Sequence, residues 1–91
     1  MPPAPLKLRF TPHAAADLER LSVDVASRIV DKLAWLAEHP EAKVERLVEM
    51  PSHLEGLLKL RVGDYRALFW FQEDTIVVYR VGHRSTIYKN I

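Results

Sequence analysis

A chain of 91 residues, 48% of them hydrophobic, is long enough for one domain with one core and too apolar for wholesale disorder. It has no cysteine, which excludes disulfides, thiol catalysis and cysteine-based zinc sites. The net charge is only +1, but residues 57–91 carry six Lys and Arg against three Asp and Glu, whereas residues 1–56 carry seven against nine. This asymmetry indicates an anionic ligand on one side of the molecule, or only a solvated face with scattered arginines.

The start of the chain predicts an extended leader followed by a strand. Residues 1–5 contain three prolines and lack the basic and apolar regions of a signal peptide. Residues 6–10 alternate apolar and polar side chains, which is typical of a half-buried strand. No apolar run approaches the roughly 20 residues that a membrane span needs. We therefore expect one domain over residues 1–91 that is soluble and cytoplasmic and does not bind membranes.

Two helices are predicted next. The first runs over residues 13–21, because Thr11 can cap its N-terminus and apolar residues recur at helical spacing. The second runs over about residues 25–38, capped by Ser22 or Asp24.

The second half of the chain predicts three strands in succession. Residues 41–56 are irregular and allow either a short strand or a helical turn. Strands are predicted over residues 57–62, 65–72 and 75–81, with tight turns between them, and Gly82 is expected to end the third. The element order β-α-α-β-β-β indicates an α+β fold in which two N-terminal helices cover one face of a mostly antiparallel β-sheet. The other face is expected to be open.

Alternation along these strands predicts a cationic open face. In the third strand Arg80 is taken to mark the open side, which places Ile76 and Val78 there as well and Val77, Tyr79 and Val81 on the other face, although a bulge would reverse part of this register. The basic residues predicted to converge on the open face are Lys59, Arg61, Arg66 and Arg80. Trp70 is expected nearby, either as a stacking surface or in a small apolar cluster with Leu68, Ile76 and Val78. Arginine forks bind phosphate and aromatic rings stack on unpaired bases, so this face favours single-stranded RNA over duplex DNA.

Two motifs in these strands resemble a known family. Lys59-Leu60-Arg61 followed by Tyr65-Arg66, and Val81-Gly82-His83-Arg84 followed by Tyr88, are similar to the RelE/ParE superfamily of bacterial type II toxins. The resemblance is closest to the RelE branch and extends over most of the chain. It implies the RelE-like microbial RNase fold and the activity of a ribosome-dependent messenger RNA endonuclease, which cuts the codon in the ribosomal A site and so inhibits translation.

The resemblance also implies a mechanism without metal or cofactor. The ribose 2′-OH attacks the adjacent phosphorus and the 5′-oxygen leaves, which requires a base, cations for the phosphorane and an acid. Tyr88 is the implied base, with Arg84 and Lys59 as cations that stabilise its phenolate. Arg66 is the implied stabiliser of the transition state, and Arg84 also serves the leaving group or a phosphate. RNA-binding roles are implied for Lys59, Arg61, Arg80, His83 and Trp70.

Some family features are altered in this chain. Leu57 stands where relatives often carry a basic residue, and the end of the chain at Ile91 leaves the C-terminal helix of many relatives short or absent, so that Tyr88 is less firmly placed. Some relatives use a His and a Glu as the acid–base pair, a part that His83 and Glu49 could take here. Purely structural interpretations of two residues also remain open. In these, Tyr88 is a packing residue at the edge of the sheet, and His83 is a turn residue.

The implied partners are a cognate antitoxin protein and the 70S ribosome with mRNA in its A site. The disordered segment of the antitoxin would fold onto the toxin surface, and DNA would be contacted only indirectly, through the antitoxin. Two other functions compete with RNA cleavage. One is a ParE-like inhibitor of DNA gyrase, and the other is a degenerate homologue that only binds a partner.

Overall fold

The computed structural model describes residues 5–48 and 50–90, so most of the predicted leader lies outside the described residues. The regular elements in chain order are β1 (Lys7–Phe10), α1 (Pro12–Glu19), α2 (Val23–Glu38), β2 (Glu45–Arg46), β3 (Leu58–Val62), β4 (Tyr65–Gln72) and β5 (Thr75–His83). Two short 3₁₀ helices, Ser52–Leu54 and Ile87–Asn90, precede β3 and follow β5.

The strands form one sheet in the order β1-β5-β4-β3-β2. β1 runs parallel to β5, and every other neighbouring pair is antiparallel. This confirms the predicted α+β fold. The segment of uncertain type contains both a strand, β2, and a 3₁₀ helix. Among the described helices, none has the length and apolar character that crossing a bilayer requires.

Both helices begin at the cap residues that local chemistry favours. The Thr11 hydroxyl accepts a hydrogen bond from the Ala14 amide at 3.2 Å, with Pro12 at the first helical position. Ser22 caps α2 by accepting from the Val25 amide at 3.3 Å. Because Ser22 is the cap and Asp24 lies inside the first turn, α2 begins slightly earlier than predicted.

The main hydrophobic core lies between the two helices and one face of the sheet. Its fully buried side chains include Ile29, Leu33 and Leu36 from α2 and Phe69, Ile76 and Val78 from the strands. Burial of these side chains is the dominant favourable term that holds the helices on the sheet.

Replacement of Phe69 by Ala is expected to lower the free energy of unfolding by about 3–5 kcal/mol, because it removes a completely buried ring and leaves a cavity. Phe71 is the matched control, since it lies on the same strand but is 40% exposed. Phe71→Ala is expected to cost only about 1 kcal/mol. Urea unfolding of both variants checks this, and equal losses would contradict the assigned core.

The predicted facing of β5 is wrong over most of the strand. Ile76 and Val78 point into the main core, whereas Tyr79 packs on the opposite face. The pairing with β4 is shifted between Leu68 and Phe69, which pair with Arg80 and Val78, so Tyr79 is an extra residue. This β-bulge interrupts the alternation on which the prediction rested. The strand also continues through Gly82, because both Gly82 and His83 still pair with β4.

The second face of the sheet is partly covered by a smaller apolar cluster. Leu57, Leu68 and Ile87 are its buried members, and Leu47, Trp70 and Tyr79 pack against them. We call these six residues the outer cluster. The predicted open face is therefore divided, with the outer cluster on one part and the basic side chains on the other.

Candidate active site

An open cleft of about 390 Å³ lies where the second sheet face meets the end of β5 and the Ile87–Asn90 helix. The residues that line the cleft are Lys59, Arg66, His83, Arg84, Ser85 and Tyr88. This lining has three permanent cations and no carboxylate. A concave surface of this composition attracts an anion such as a phosphate diester.

Arg66 is the most constrained cation of the cleft. Only 6% of the residue is exposed. Its Nη1 donates to the carbonyl oxygens of Gly63 and Tyr65, both at 2.8 Å. Within the described part of the chain both of its hydrogen bonds are made by Nη1, which leaves Nε and Nη2 as donors for an anion. The β3–β4 turn thus holds a guanidinium in a fixed orientation, which suits recognition of a phosphate.

The turn is tight because Gly63 has a positive φ of 59°, a conformation in which glycine has no steric penalty. The Arg66 side chain folds back under this turn, and its position follows from the hairpin geometry.

Lys59 lies between a carboxylate and an aromatic ring. Its Nζ is 3.3 Å from a carboxylate oxygen of Glu45 on the neighbouring strand β2. The same Nζ lies 5.8 Å from the centroid of the Tyr88 ring, within the range of a cation–π contact. Lys59 therefore connects the sheet to the segment that carries Tyr88.

Arg84 is more loosely held than Arg66. Its amide donates to the Asp64 carbonyl at 2.8 Å, which ties the end of β5 to the β3–β4 turn. Its Nε lies 3.6 Å from an Asp64 carboxylate oxygen, with both side chains more than 60% exposed. Exposed pairs of this kind contribute about 0–1 kcal/mol, so a phosphate can replace Asp64 as the partner of Arg84.

The ring of His83 has a defined hydrogen-bonding state. The Ser85 amide donates to His83 Nδ1 at 3.1 Å, and the Ser85 hydroxyl lies 2.7 Å from the same nitrogen. A backbone amide can only donate, so Nδ1 is the acceptor and the neutral ring carries its proton on Nε2. The Tyr65 ring packs edge-on against the imidazole at 5.3 Å.

Tyr88 is placed by its neighbour Ile87. Ile87 is buried in the outer cluster, where it contacts Gly82, while 39% of Tyr88 remains exposed in the cleft. A Cβ at position 82 would lie 3.5 Å from Ile87 Cβ, an ordinary van der Waals distance, so the short helix packs directly on the end of β5. Although the 3₁₀ helix has only four residues, Tyr88 is anchored to the sheet through Ile87.

The structure brings together five of the residues singled out from the sequence. They are Lys59, Arg66, His83, Arg84 and Tyr88. Arg61 is exposed and pairs with Arg66 across the β3–β4 ladder, beside the cleft rather than in its lining.

Arg80 does not join these residues, and the prediction that it converges with them is wrong. Its Nε donates to Asp17 Oδ2 at 2.8 Å and its Nη2 to Asp17 Oδ1 at 3.2 Å. The bulge at Tyr79 turns this part of β5, and α1 supplies a buried carboxylate there. The hydrogen bond that Arg80 donates to Asp17 raises the pKa of Arg80.

Trp70 packs within the outer cluster. Its Nε1 donates to the Glu55 carbonyl at 3.2 Å, and its ring lies 5.3 Å from that of Tyr79. The alternative of a small apolar cluster is therefore correct for Leu68, but not for Ile76 and Val78, which belong to the main core.

Sequence reasoning missed Ser85, which fixes the His83 ring, and Glu45 and Asp64, which pair with two of the cations. The position of Ser85, two residues after a histidine in a turn, is a weak sequence signal for its contact with that ring. The two carboxylates give no sequence signal unless the strand register is known. Glu49 lies outside the described residues. In residues 5–48 and 50–90 there is no group of three or more His, Asp and Glu side chains that could hold a metal ion.

The chain is similar to proteins of known class. A family model described as the ParE toxin of the type II toxin–antitoxin system parDE matches residues 8–88. Toxin RelG of Mycobacterium tuberculosis is 29% identical over 87 residues, which are 93% of this chain and 98% of the relative.

Solved structures agree with these matches. The toxin–antitoxin complex RelBE2 from Mycobacterium tuberculosis contains a chain that is 30% identical, with a TM-score of 0.75 over 89% of this chain and 93% of that one. A mutant of the Escherichia coli toxin RelE in the free state is 22% identical and shares the fold, with a TM-score of 0.73 over 93% and 90% of the two chains. The family match and the RelBE2 likeness together lead to one assignment, that this chain belongs to the RelE/ParE superfamily of toxins from type II toxin–antitoxin systems.

Proposed function

We propose that this toxin is a ribosome-dependent messenger RNA endonuclease that cuts the codon in the A site without a metal ion. The observation that carries the proposal is the cleft, in which three cations, a histidine and a tyrosine from separate segments line one surface. A toxin that acts only by binding another protein has no need of this combination of a preoriented arginine, a histidine and a tyrosine.

The cleft residues match the parts that the reaction needs. Tyr88, as the phenolate, accepts the proton of the ribose 2′-OH, and the new bond forms between that oxygen and the adjacent phosphorus. The bond from phosphorus to the 5′-oxygen breaks, and this oxygen takes a proton from solvent water in the open cleft, while His83 Nε2 donates a hydrogen bond to the phosphate. The hydroxide that remains takes the proton from Tyr88 and restores its phenolate. The products are a 2′,3′-cyclic phosphate and a free 5′-hydroxyl, so no atoms or electrons are left over.

The cations divide the charge stabilisation between them. Arg66 presents Nε and Nη2 in a fixed orientation to the equatorial oxygens of the phosphorane, where the negative charge increases. Lys59, whose ammonium lies over the Tyr88 ring, supplies the positive charge that stabilises the phenolate. Arg84 cannot readily give up a proton, and it stabilises the leaving oxygen by charge and hydrogen bonding.

RNA binding requires exchange of two ion pairs. Lys59 and Arg84 are paired with Glu45 and Asp64 at the rim. A phosphate in the cleft replaces these carboxylates at small cost, because both carboxylate side chains are more than half exposed. Dependence on the ribosome follows if the ribosome supplies the message in a conformation that the open cleft by itself does not impose.

The expected partner is a cognate antitoxin. The RelBE2 relative is a toxin–antitoxin complex, which supports a similar partner for this chain. The partly exposed edge of the outer cluster offers apolar surface beside a cationic cleft. An acidic, amphipathic segment is the kind of ligand that such a surface attracts, and it would block the cleft.

The test is cleavage of a defined message by purified toxin, with and without programmed 70S ribosomes. Cuts within the A-site codon that require the ribosome are the expected result. The control is Arg9→Gln, which removes an exposed arginine of the edge strand β1 and is expected to leave cutting unchanged. Absence of cuts by folded wild-type toxin would overturn the proposal.

A second candidate is inhibition of DNA gyrase, because the matching family model is that of ParE toxins. A gyrase inhibitor acts by binding and does not need the hydroxyl of Tyr88. Supercoiling by purified gyrase in the presence of the toxin separates the two functions. Inhibition that persists in Tyr88→Phe, together with intact message on ribosomes, would favour the gyrase reading.

A further inference from the structure

Asp17 is a buried carboxylate on α1 with an unusually complete set of donors. The residue is 6% exposed. Asp17 accepts hydrogen bonds from Arg80 Nε at 2.8 Å, Arg80 Nη2 at 3.2 Å and the Val81 amide at 2.9 Å. In sequence it occupies a position of the apolar stripe, three residues after Ala14 and one before Leu18. An acid at such a position is costly unless it is fully paired.

These contacts lie along the part of the β5 edge that β1 does not reach. β1 pairs with β5 only as far as Phe10, which lies opposite Val78. Beyond that point α1 and its cap bond to the free edge of β5. The Thr11 hydroxyl donates to the Tyr79 carbonyl at 2.8 Å, and the Asp17 carboxylate accepts from the Val81 amide. Asp17 therefore holds the edge of the bulged part of β5 that faces away from β4, beyond the last residue that pairs with β1.

The held segment leads directly into the cleft. Gly82 follows Val81 and contacts Ile87, the residue that anchors Tyr88. His83 and Arg84 come next and line the cleft themselves. A displacement of Val81 is thus passed both to His83 along the chain and to Tyr88 through the contact of Gly82 with Ile87.

We propose that Asp17 is a positioning residue of the nuclease site, which acts by fixing the bulge of β5 through Arg80 and Val81. This inference rests on the proposed function, because one of its tests measures the rate of RNA cleavage. Asp17 lines no part of the cleft, and its carboxylate also keeps Arg80 away from the RNA-binding surface. Its removal should therefore affect the rate of the chemical step more than the binding of RNA.

The decisive variant is Asp17→Asn, which keeps an acceptor for the Val81 amide but loses the charge and turns an amide donor towards Arg80. We expect kcat for A-site cleavage to fall about tenfold to a hundredfold, as a misplacement of about 1 Å produces, with KM changed less than about threefold. Arg20→Gln is the matched control. Arg20 Nη1 lies 3.7 Å from the same carboxylate but its side chain is 75% exposed, and the variant should cut like wild type.

A second readout does not depend on cleavage. Nitrogen NMR of the histidine rings reports the Ser85 hydrogen bond to His83 Nδ1, and the ring signals of Tyr88 report its position. Both are expected to shift in Asp17→Asn and to stay in place in Arg20→Gln. If wild type does not cut, the proposed function fails, but these spectra still decide whether Asp17 positions the site.

Folding of the variants is checked by thermal unfolding before either readout. If Asp17→Asn does not fold, Arg80→Lys takes its place, because it keeps the ion pair with one donor instead of two. A folded variant with wild-type kcat and wild-type His83 and Tyr88 signals would overturn the proposal. A rise in KM with kcat unchanged would also overturn the proposal, since it would assign Asp17 to RNA binding.

Discussion

Arg66→Lys is expected to lower kcat for cleavage on the ribosome by about 10²-fold to 10³-fold, the range found when one preorganised donor to a transition-state oxyanion is removed. Lysine keeps the positive charge but presents it as a point, without the fork that donates through Nε and Nη2. It also cannot keep one nitrogen on the carbonyls of Gly63 and Tyr65 while another faces the phosphate. The loss should therefore appear in kcat rather than in KM.

Stability must be separated from chemistry in this variant, because Arg66 is buried under the β3–β4 turn. Lysine can still donate to one or both carbonyls, so the fold should survive with a loss of about 1 kcal/mol. Arg9→Lys makes the same substitution at an exposed position on β1 and is expected to change neither rate nor stability. A folded Arg66→Lys toxin that cuts at the wild-type rate would remove Arg66 from the mechanism.

Tyr88→Phe is expected to lower kcat by about 10²-fold to 10⁴-fold, the usual contribution of a general base. The substitution removes one oxygen and keeps the ring, so the contact with Lys59 and the anchoring through Ile87 remain. KM should change little for the same reason. Single-turnover cleavage on programmed ribosomes measures the chemical step directly.

Tyr79→Phe is the matched control for this experiment, since it removes a hydroxyl from a tyrosine of the outer cluster that does not line the cleft. It should cut like wild type. If Tyr88→Phe also cuts like wild type, the base is another group, and His83, the imidazole of the cleft lining, becomes the first residue to replace.

The grouping of five predicted residues in one cleft was largely accessible from the sequence, because it depended on short-range patterns. Lys59 and Arg66 lie on neighbouring strands joined by a two-residue turn, so their placement in one hairpin follows from local sequence. His83, Arg84 and Tyr88 belong to one short motif that begins at the last residue of β5. Their chemical character was also readable, since a cluster of cations, a histidine and a tyrosine favours phosphate chemistry.

The environment of these residues was not accessible, since it is made by distant parts of the chain. Glu45 reaches Lys59 only because β2 adds to the edge of the sheet. The burial of Arg66 depends on the way its side chain folds back under the turn. Neither feature leaves a periodic signal in the sequence.

The sequence by itself determined the two helices, four of the five strands and the α+β class, because capping and periodicity act within a few residues. Only the tertiary structure decided the parallel placement of β1 beside β5 and the position of the Arg80 side chain. Alternation predicts the two faces of a strand only until an extra residue enters it. The bulge in β5 is held by Asp17, 63 residues away from Arg80 along the chain, and no local pattern reports a contact over that distance.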